Sequence, residues 1–140
     1  MYIANDGVVI QNIVIDTVTH GDNLIEIYNN ATLKNVTVKN GEKAGIYVNN
    51  DKATTITVNF ENITTANNGW KAGIGLVAQK AGGKVIANFT GKNNFGEEVG
   101  VYSDSKATVG EYIGTYLGTV EVTGLGDAVE HLVNKKDNWK

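Results

Sequence analysis

The residues able to do acid–base or metal chemistry are few and scattered along this chain. It has 15 Asp or Glu, two His (His20 and His131) and 12 basic residues, all of them Lys, with no Arg and no Cys. Two carboxylates about 5–9.5 Å apart would suit cleavage of a glycosidic bond. The carboxylates to weigh are Asp16, Asp22, Glu42, Asp51, Glu97, Glu98 and Asp104. The four Asp fall at different places in the repeats described below. Glu42 and the Glu97-Glu98 pair align loosely, but beside a turn, where charges are ordinarily just solvated. A zinc site needs three or four N, S or O donors, and neither histidine has companions at such spacing. His20 lies in the turn Thr19-His20-Gly21-Asp22, and His131 alternates with Glu130 in a terminal strand-like run that reads as surface. Asn5-Asp6-Gly7 and Asn49-Asn50-Asp51 carry calcium-type donors without the pattern of a calcium loop, and turn formation accounts for both. No residue is therefore assigned to catalysis, a cofactor or a metal.

Aromatic rings are the other candidates, because a flat ring stacks on a sugar face. Trp70 follows Asn68-Gly69 in a turn. Tyr47 and Tyr102 read as equivalent outward strand positions, in line with Tyr28, where a Tyr also serves simply to shield a sheet. Tyr112 and Tyr116 lie in an irregular insert, and loops projecting from a rigid scaffold often carry binding. These five, Tyr47, Trp70, Tyr102, Tyr112 and Tyr116, are the expected contacts for a glycan or a protein partner.

The net charge of −3 gives no electrostatic basis for nucleic-acid binding. The absence of Arg removes the bidentate fork that carboxylate and phosphate sites favour. No apolar run approaches 18 residues, so no membrane-inserting helix is expected. Without Cys the fold holds no disulfide or thiolate metal site. Pro is absent too, while Gly, Asn, Thr and Val abound, a mixture suited to short strands joined by tight corners.

What must position any site is a repeated phrase. Gln11-Asn12-Ile13-Val14-Ile15 returns as Lys34-Asn35-Val36-Thr37-Val38, Glu61-Asn62-Ile63-Thr64-Thr65 and Ala87-Asn88-Phe89-Thr90, so that Asn recurs at intervals of 23, 27 and 26. A second phrase follows: Asn40-Gly41-Glu42-Lys43-Ala44-Gly45-Ile46, Asn68-Gly69-Trp70-Lys71-Ala72-Gly73-Ile74 and Phe95-Gly96-Glu97-Glu98-Val99-Gly100-Val101. Two phrases in constant order at such a period mean stacked copies of one supersecondary unit. Period-2 runs dominate, so equivalent strands should lie parallel, one coil above the next. The stack should bury Ile13/Val36/Ile63/Phe89 as one column and Ile46/Ile74/Val101 as another. Asn12, Asn35, Asn62 and Asn88 should form a ladder at a corner. Three of the four Asn-x-Thr sequons (at 35, 62 and 88) are ladder positions with no room for a glycan, which leaves Asn30 as the candidate acceptor.

The run Ile-x-Asn-(Val/Ile)-x-(Val/Ile), with the following Asn-Gly and Gly-Ile-x-Val, resembles the right-handed parallel β-helix of the pectate-lyase-like superfamily. The resemblance covers residues 5–102 and continues more loosely to 133. Gly45-Ile46-Tyr47-Val48-Asn49-Asn50 and Val99-Gly100-Val101-Tyr102-Ser103-Asp104 further resemble adhesin repeats, as in autotransporter passengers and bacterial or archaeal cell-surface proteins. The resemblance implies an all-β, right-handed, single-stranded solenoid of about five coils. Residues 1–140 are expected to form one domain, with regular coils over 1–102 and an irregular coil and terminal cap over 103–140. The insert at 103–118 should form a longer coil or a protruding hairpin. Met1-Tyr2-Ile3 enters directly in a strand-like pattern, as in a piece of a larger protein or a filament subunit. Enzymes of the superfamily act on acidic polysaccharides through aligned acidic residues, calcium sites or an Arg or Lys base. No acidic column or Arg matches here. The expected role is a non-enzymatic structural and adhesive module, extracellular or at a cell surface, with no cofactor. Its partners would be a glycan, a host or cell-surface protein, or another copy of itself through the coil ends. The alternatives are a self-assembling fibre or surface-layer subunit and a fragment of a polysaccharide lyase or hydrolase.

Overall fold

Alternating β-branched and polar residues pleat into strands, and Asn or Gly at the corners turns the chain back on itself. The computed structural model describes residues 1–17, 21–69, 72–103, 105–109 and 112–134. In chain order the strands are β1 (Tyr2–Ile3), β2 (Val8–Asp16), β3 (Ile25–Ile27), β4 (Ala31–Lys39), β5 (Ile46–Asn50), β6 (Thr55–Ala66), β7 (Ala72–Ala78), β8 (Lys84–Thr90), β9 (Asn94–Phe95) and β10 (Glu98–Tyr102). A hairpin follows, β11 (Ser105–Val109) and β12 (Tyr112–Tyr116), then β13 (Thr119–Thr123), a 3₁₀ helix over Gly126–His131 and β14 (Leu132–Asn134). Strands β1, β3, β5, β7, β10 and β14 form one parallel sheet, and β2, β4, β6, β8 and β13 a second. The chain is thus an all-β parallel solenoid of about four turns.

Each long strand of the second sheet is bent at one residue. Asn12, Asn35 and Asn62 take φ of 57°, 53° and 54°, a left-handed conformation that Asn tolerates better than most residues. Cα pairing runs to Gln11↔Lys34↔Glu61, skips the Asn, and resumes at Ile13↔Val36↔Ile63. The bend lets side chains on both arms point inward, so Ile10, Leu33 and Phe60 pack on one arm and Val36, Val38 and Ile63 on the other. These columns form one continuous apolar core with Ile25, Ile46, Ile74 and Val99 of the first sheet.

Register corrects several expectations. Phe89 lies beside Phe60, not Ile63, with the rings stacked 4.7 Å apart. Its column is Ile10/Leu33/Phe60/Phe89. Val101 pairs with Leu76, while Val99 continues the Ile46/Ile74 column. Asn88 pairs with Asn59 and donates from Nδ2 to its Oδ1 at 3.0 Å. It therefore stands in a separate short ladder, capped by the Thr123 hydroxyl at 2.9 Å. Opposite Asn62 comes Gly91, at φ 70°. The cause is a displacement of the fourth phrase by three residues, which the repeated Asn-x-Thr conceals.

Asn12, Asn35 and Asn62 do form the expected ladder. Asn62 Nδ2 donates to Asn35 Oδ1 and Asn35 Nδ2 to Asn12 Oδ1, both at 2.9 Å. Lys92 N–H closes the far end on Asn62 Oδ1 at 2.7 Å. A second left-handed ladder, at the next corner, links Asn67 to Asn40 (2.8 Å) and Asn40 to Asp16 (2.6 Å). That Asn40 bond, followed by one from Lys39, holds the Asp16 carboxyl below the usual range. Asn30 also ties coils together: its Nδ2 donates to Asp6 at 2.7 Å and its Oδ1 takes Thr57 N–H at 2.7 Å.

Candidate interaction site

The expected aromatic binding face is largely closed. Tyr47 aligns with Gly75 and Gly100, whereas Tyr102 aligns with Val77 and Asn49, so the two tyrosines stand in adjacent columns rather than one. The glycines make room for the rings: a Cβ on Gly75 would lie 3.2 Å from Tyr47, and one on Gly100 2.8 Å from Tyr102. The insert forms the antiparallel hairpin β11–β12. Tyr116 packs with Tyr47, Val77 and Tyr102 as a second, external apolar cluster. Tyr116 is 1% exposed and Tyr47 8%, with the Tyr102 ring 5.8 Å from that of Tyr116. Shielding of the sheet is thus what Tyr47 and Tyr116 do. Tyr112 sits in β12 opposite Val109. Trp70, His20 and Asp104 lie outside the described residues.

Burial, then the Glu98 carboxylate, pushes the Tyr102 phenol above its ordinary value near 10. Burial and Glu26 do the same to Tyr28. The folded chain therefore holds these protons more tightly than the unfolded one, so their contribution is complete below pH 10 and lost as pH rises through the folded values. A spectrophotometric titration at 295 nm should show a late phase, above the ordinary tyrosine value, to which Tyr102 contributes, with unfolding by circular dichroism following it. A Tyr102→Phe variant that leaves the late phase intact would refute the assignment.

A concavity lined by polar groups lies at the corner that carries the second Asn ladder. An open cleft of about 730 Å³ is lined by Asn67, Asn68, Gly69, Gly96, Glu97, Glu98 and His131. Asn68 is its anchor, buried at the turn. Its Nδ2 donates to Val38 O at 3.1 Å and its Oδ1 accepts Gly41 N–H at 3.1 Å. The Asn68 backbone N–H and Nδ2 both donate to Glu97 Oε1. The remaining oxygen, Glu97 Oε2, is buried without a hydrogen-bond partner, as is Thr65 Oγ1. Glu98 is exposed at the rim. Gly69 permits the tight corner, since a Cβ there would collide with the Glu42 carbonyl. His131 belongs to the 3₁₀ helix rather than a strand, and its half-buried ring stands edge-on to Phe95 at 5.9 Å.

Asn68 and Glu97 lie in the second repeated phrase and His131 stands apart from it, but nothing in the phrase marks the three as neighbours. The one usable signal was the doublet Asn67-Asn68, where the first Asn serves the ladder and the second is free to turn inward. Among the described residues no three His, Asp or Glu gather as a metal site would require. No protein family, curated protein or solved structure matches the chain.

Proposed function

We propose that this chain is a non-enzymatic structural and adhesive module of an extracellular or cell-surface protein, akin to the adhesin repeats of the right-handed pectate-lyase-like β-helices that its phrases resemble. The observation that carries this reading is the commitment of its polar side chains to stacking. The amides of Asn12, Asn30, Asn35, Asn40, Asn62, Asn67 and Asn88 bond from coil to coil. The exposed pairs Lys34–Glu61 (3.3 Å) and Lys84–Glu121 (2.7 Å) also bridge coils, each contributing up to about 1 kcal/mol. Such a stack makes a stiff support, and the Asn67–His131 cleft offers a polar, hydroxyl-bearing ligand both carboxylate and amide groups. Screening the chain on an array of neutral and acidic glycans tests the adhesive role. Binding that weakens at least tenfold in Glu98→Ala supports it. Binding to no glycan, or binding indifferent to Glu98, removes the cleft from the proposal and leaves a scaffold.

A second reading, assembly through the end of the solenoid, has its own observation. The first coil leaves strands β1 and β2 as open sheet edges, with Tyr2, Val9 and Val14 exposed. Native sheets usually cover or charge such an edge.

A further inference from the structure

The open first coil matches a copy of itself. We propose that a second copy of this chain pairs with it, β2 against β2 and antiparallel, about a twofold axis between Gln11 and Asn12. This rests on the reading that the solenoid assembles through its end, and it commits that reading to one partner and one geometry.

The basis is a palindrome that the bend creates. Strand β2 reads Val8-Val9-Ile10-Gln11-Asn12-Ile13-Val14-Ile15. An ordinary strand alternates without interruption, so a twofold axis between two residues would set inward side chains opposite outward ones. The left-handed Asn12 resets the alternation: Val8, Ile10, Ile13 and Ile15 turn toward the core, while Val9 and Val14 stay 60% and 64% exposed. Antiparallel pairing about the Gln11/Asn12 axis then places Val8 opposite Ile15, Val9 opposite Val14, Ile10 opposite Ile13 and Gln11 opposite Asn12. Every pair is alike in both face and polarity, as an isologous interface demands.

Three further observations fit the same occupant. Ile13 and Ile15 are only half-buried, whereas their neighbours Val36 and Val38 on the next coil are fully buried. One more layer would complete that core. The Asn ladder ends at Asn12, which accepts from Asn35 and whose amide donors have no acceptor among the described residues. The partner's Gln11 or Asn12 would supply one. Charge is permissive as well: the one charged residue of β2, Asp16, lies at its end and is held by Lys39 at 3.3 Å and by Asn40. No like charges meet at the axis.

Stacking head to tail fits less well. At the far end β13 offers an edge to the first arm of β2, but the 3₁₀ helix Gly126–His131 follows β13 in place of a second strand arm. Among the described residues, 13–16 of an incoming β2 would find no strand edge there. The twofold pairing is therefore the better match of the two.

The chain contains no cysteine, so engineered thiols report the register directly. Light scattering coupled to size exclusion should give twice the 15.0 kDa chain mass. Val9→Lys should shift the chain to monomer with an unchanged circular dichroism spectrum, since Val9 is already exposed. The double variant Val9→Cys/Val14→Cys should form a disulfide-linked dimer under mild oxidation, as Cα atoms of directly opposed antiparallel residues lie about 4.5–5.5 Å apart. Either cysteine alone should link far less. A monomer at every concentration would overturn both the dimer and the reading that the end assembles. An open ladder of oligomers would keep end assembly and overturn the twofold geometry. Efficient cross-linking through Val9→Cys alone would overturn the register.

Discussion

Truncating Phe60 to alanine should lower the unfolding free energy by about 3–5 kcal/mol, the usual cost of removing a buried aromatic ring. Phe60 has no exposed surface and sits mid-stack, with Leu33 on one side and Phe89 on the other. Its ring stacks on Phe89 at 4.7 Å, and Phe89 in turn meets Phe95 edge-on at 5.9 Å. The lost ring thus leaves a cavity and removes a geometry that contributes about 0.5–1.5 kcal/mol beyond area. The β-sheet backbone on both sides is held by inter-coil hydrogen bonds, so the walls have little freedom to collapse inward. Denaturant melts of wild type and variant at constant pH measure the difference. A loss below about 1 kcal/mol would mean that this column is not the centre of the core. Phe89→Leu should cost less, because it keeps most of the volume.

Asn35→Ala should cost about 2–5 kcal/mol although the side chain is exposed. Two effects add. The left-handed φ of 53° penalises alanine by about 1–2 kcal/mol. The two ladder bonds, from Asn62 and to Asn12, contribute about 0.5–1.5 kcal/mol each. Asn35→Gly separates them, since glycine adopts positive φ freely and loses only the amide. The expected order is therefore wild type, then Asn35→Gly, then Asn35→Ala. Asn88→Ala serves as the comparison: it loses the bonds to Asn59 and Thr123 but not a left-handed backbone, so it should fall near Asn35→Gly. Equal melts for the Gly and Ala variants at position 35 would show that backbone conformation plays no part.

Asn49 reads from its cluster as a turn residue, yet it lies in β5, is buried, and accepts Gln79 Nε2 at 2.9 Å. Of that cluster, Asn50 is the one whose side chain makes the turn, bonding Lys84 O and Lys52 N–H. Local composition marks a corner but not which of two adjacent asparagines enters it.

The sequence by itself determined the class of the fold. Period-2 runs and an Asn that returns every 23 to 27 residues leave a parallel stack as the arrangement that buries each coil on the next, and Asn12, Asn35 and Asn62 form the ladder so expected. It also marked residues 103–118 as an interruption, which the chain spends on the hairpin β11–β12. What only the tertiary structure decided is register and enclosure. Phe89, Val101 and Asn88 each sit two or three residues from the place their phrases imply, because corners differ in length and a slip of two keeps the same alternation. Tyr47 and Tyr116 look like exposed ligand contacts in the sequence, but Tyr116, at the end of the hairpin, packs against Tyr47 and Val77 and buries both rings. The Asn67–His131 cleft joins residues more than sixty positions apart, and only the rise of the coils brings Glu97 under Asn68. Local chemistry chooses the strand and the turn, whereas the neighbour across the coil decides which polar group is buried, which is bonded and which is left to meet a partner.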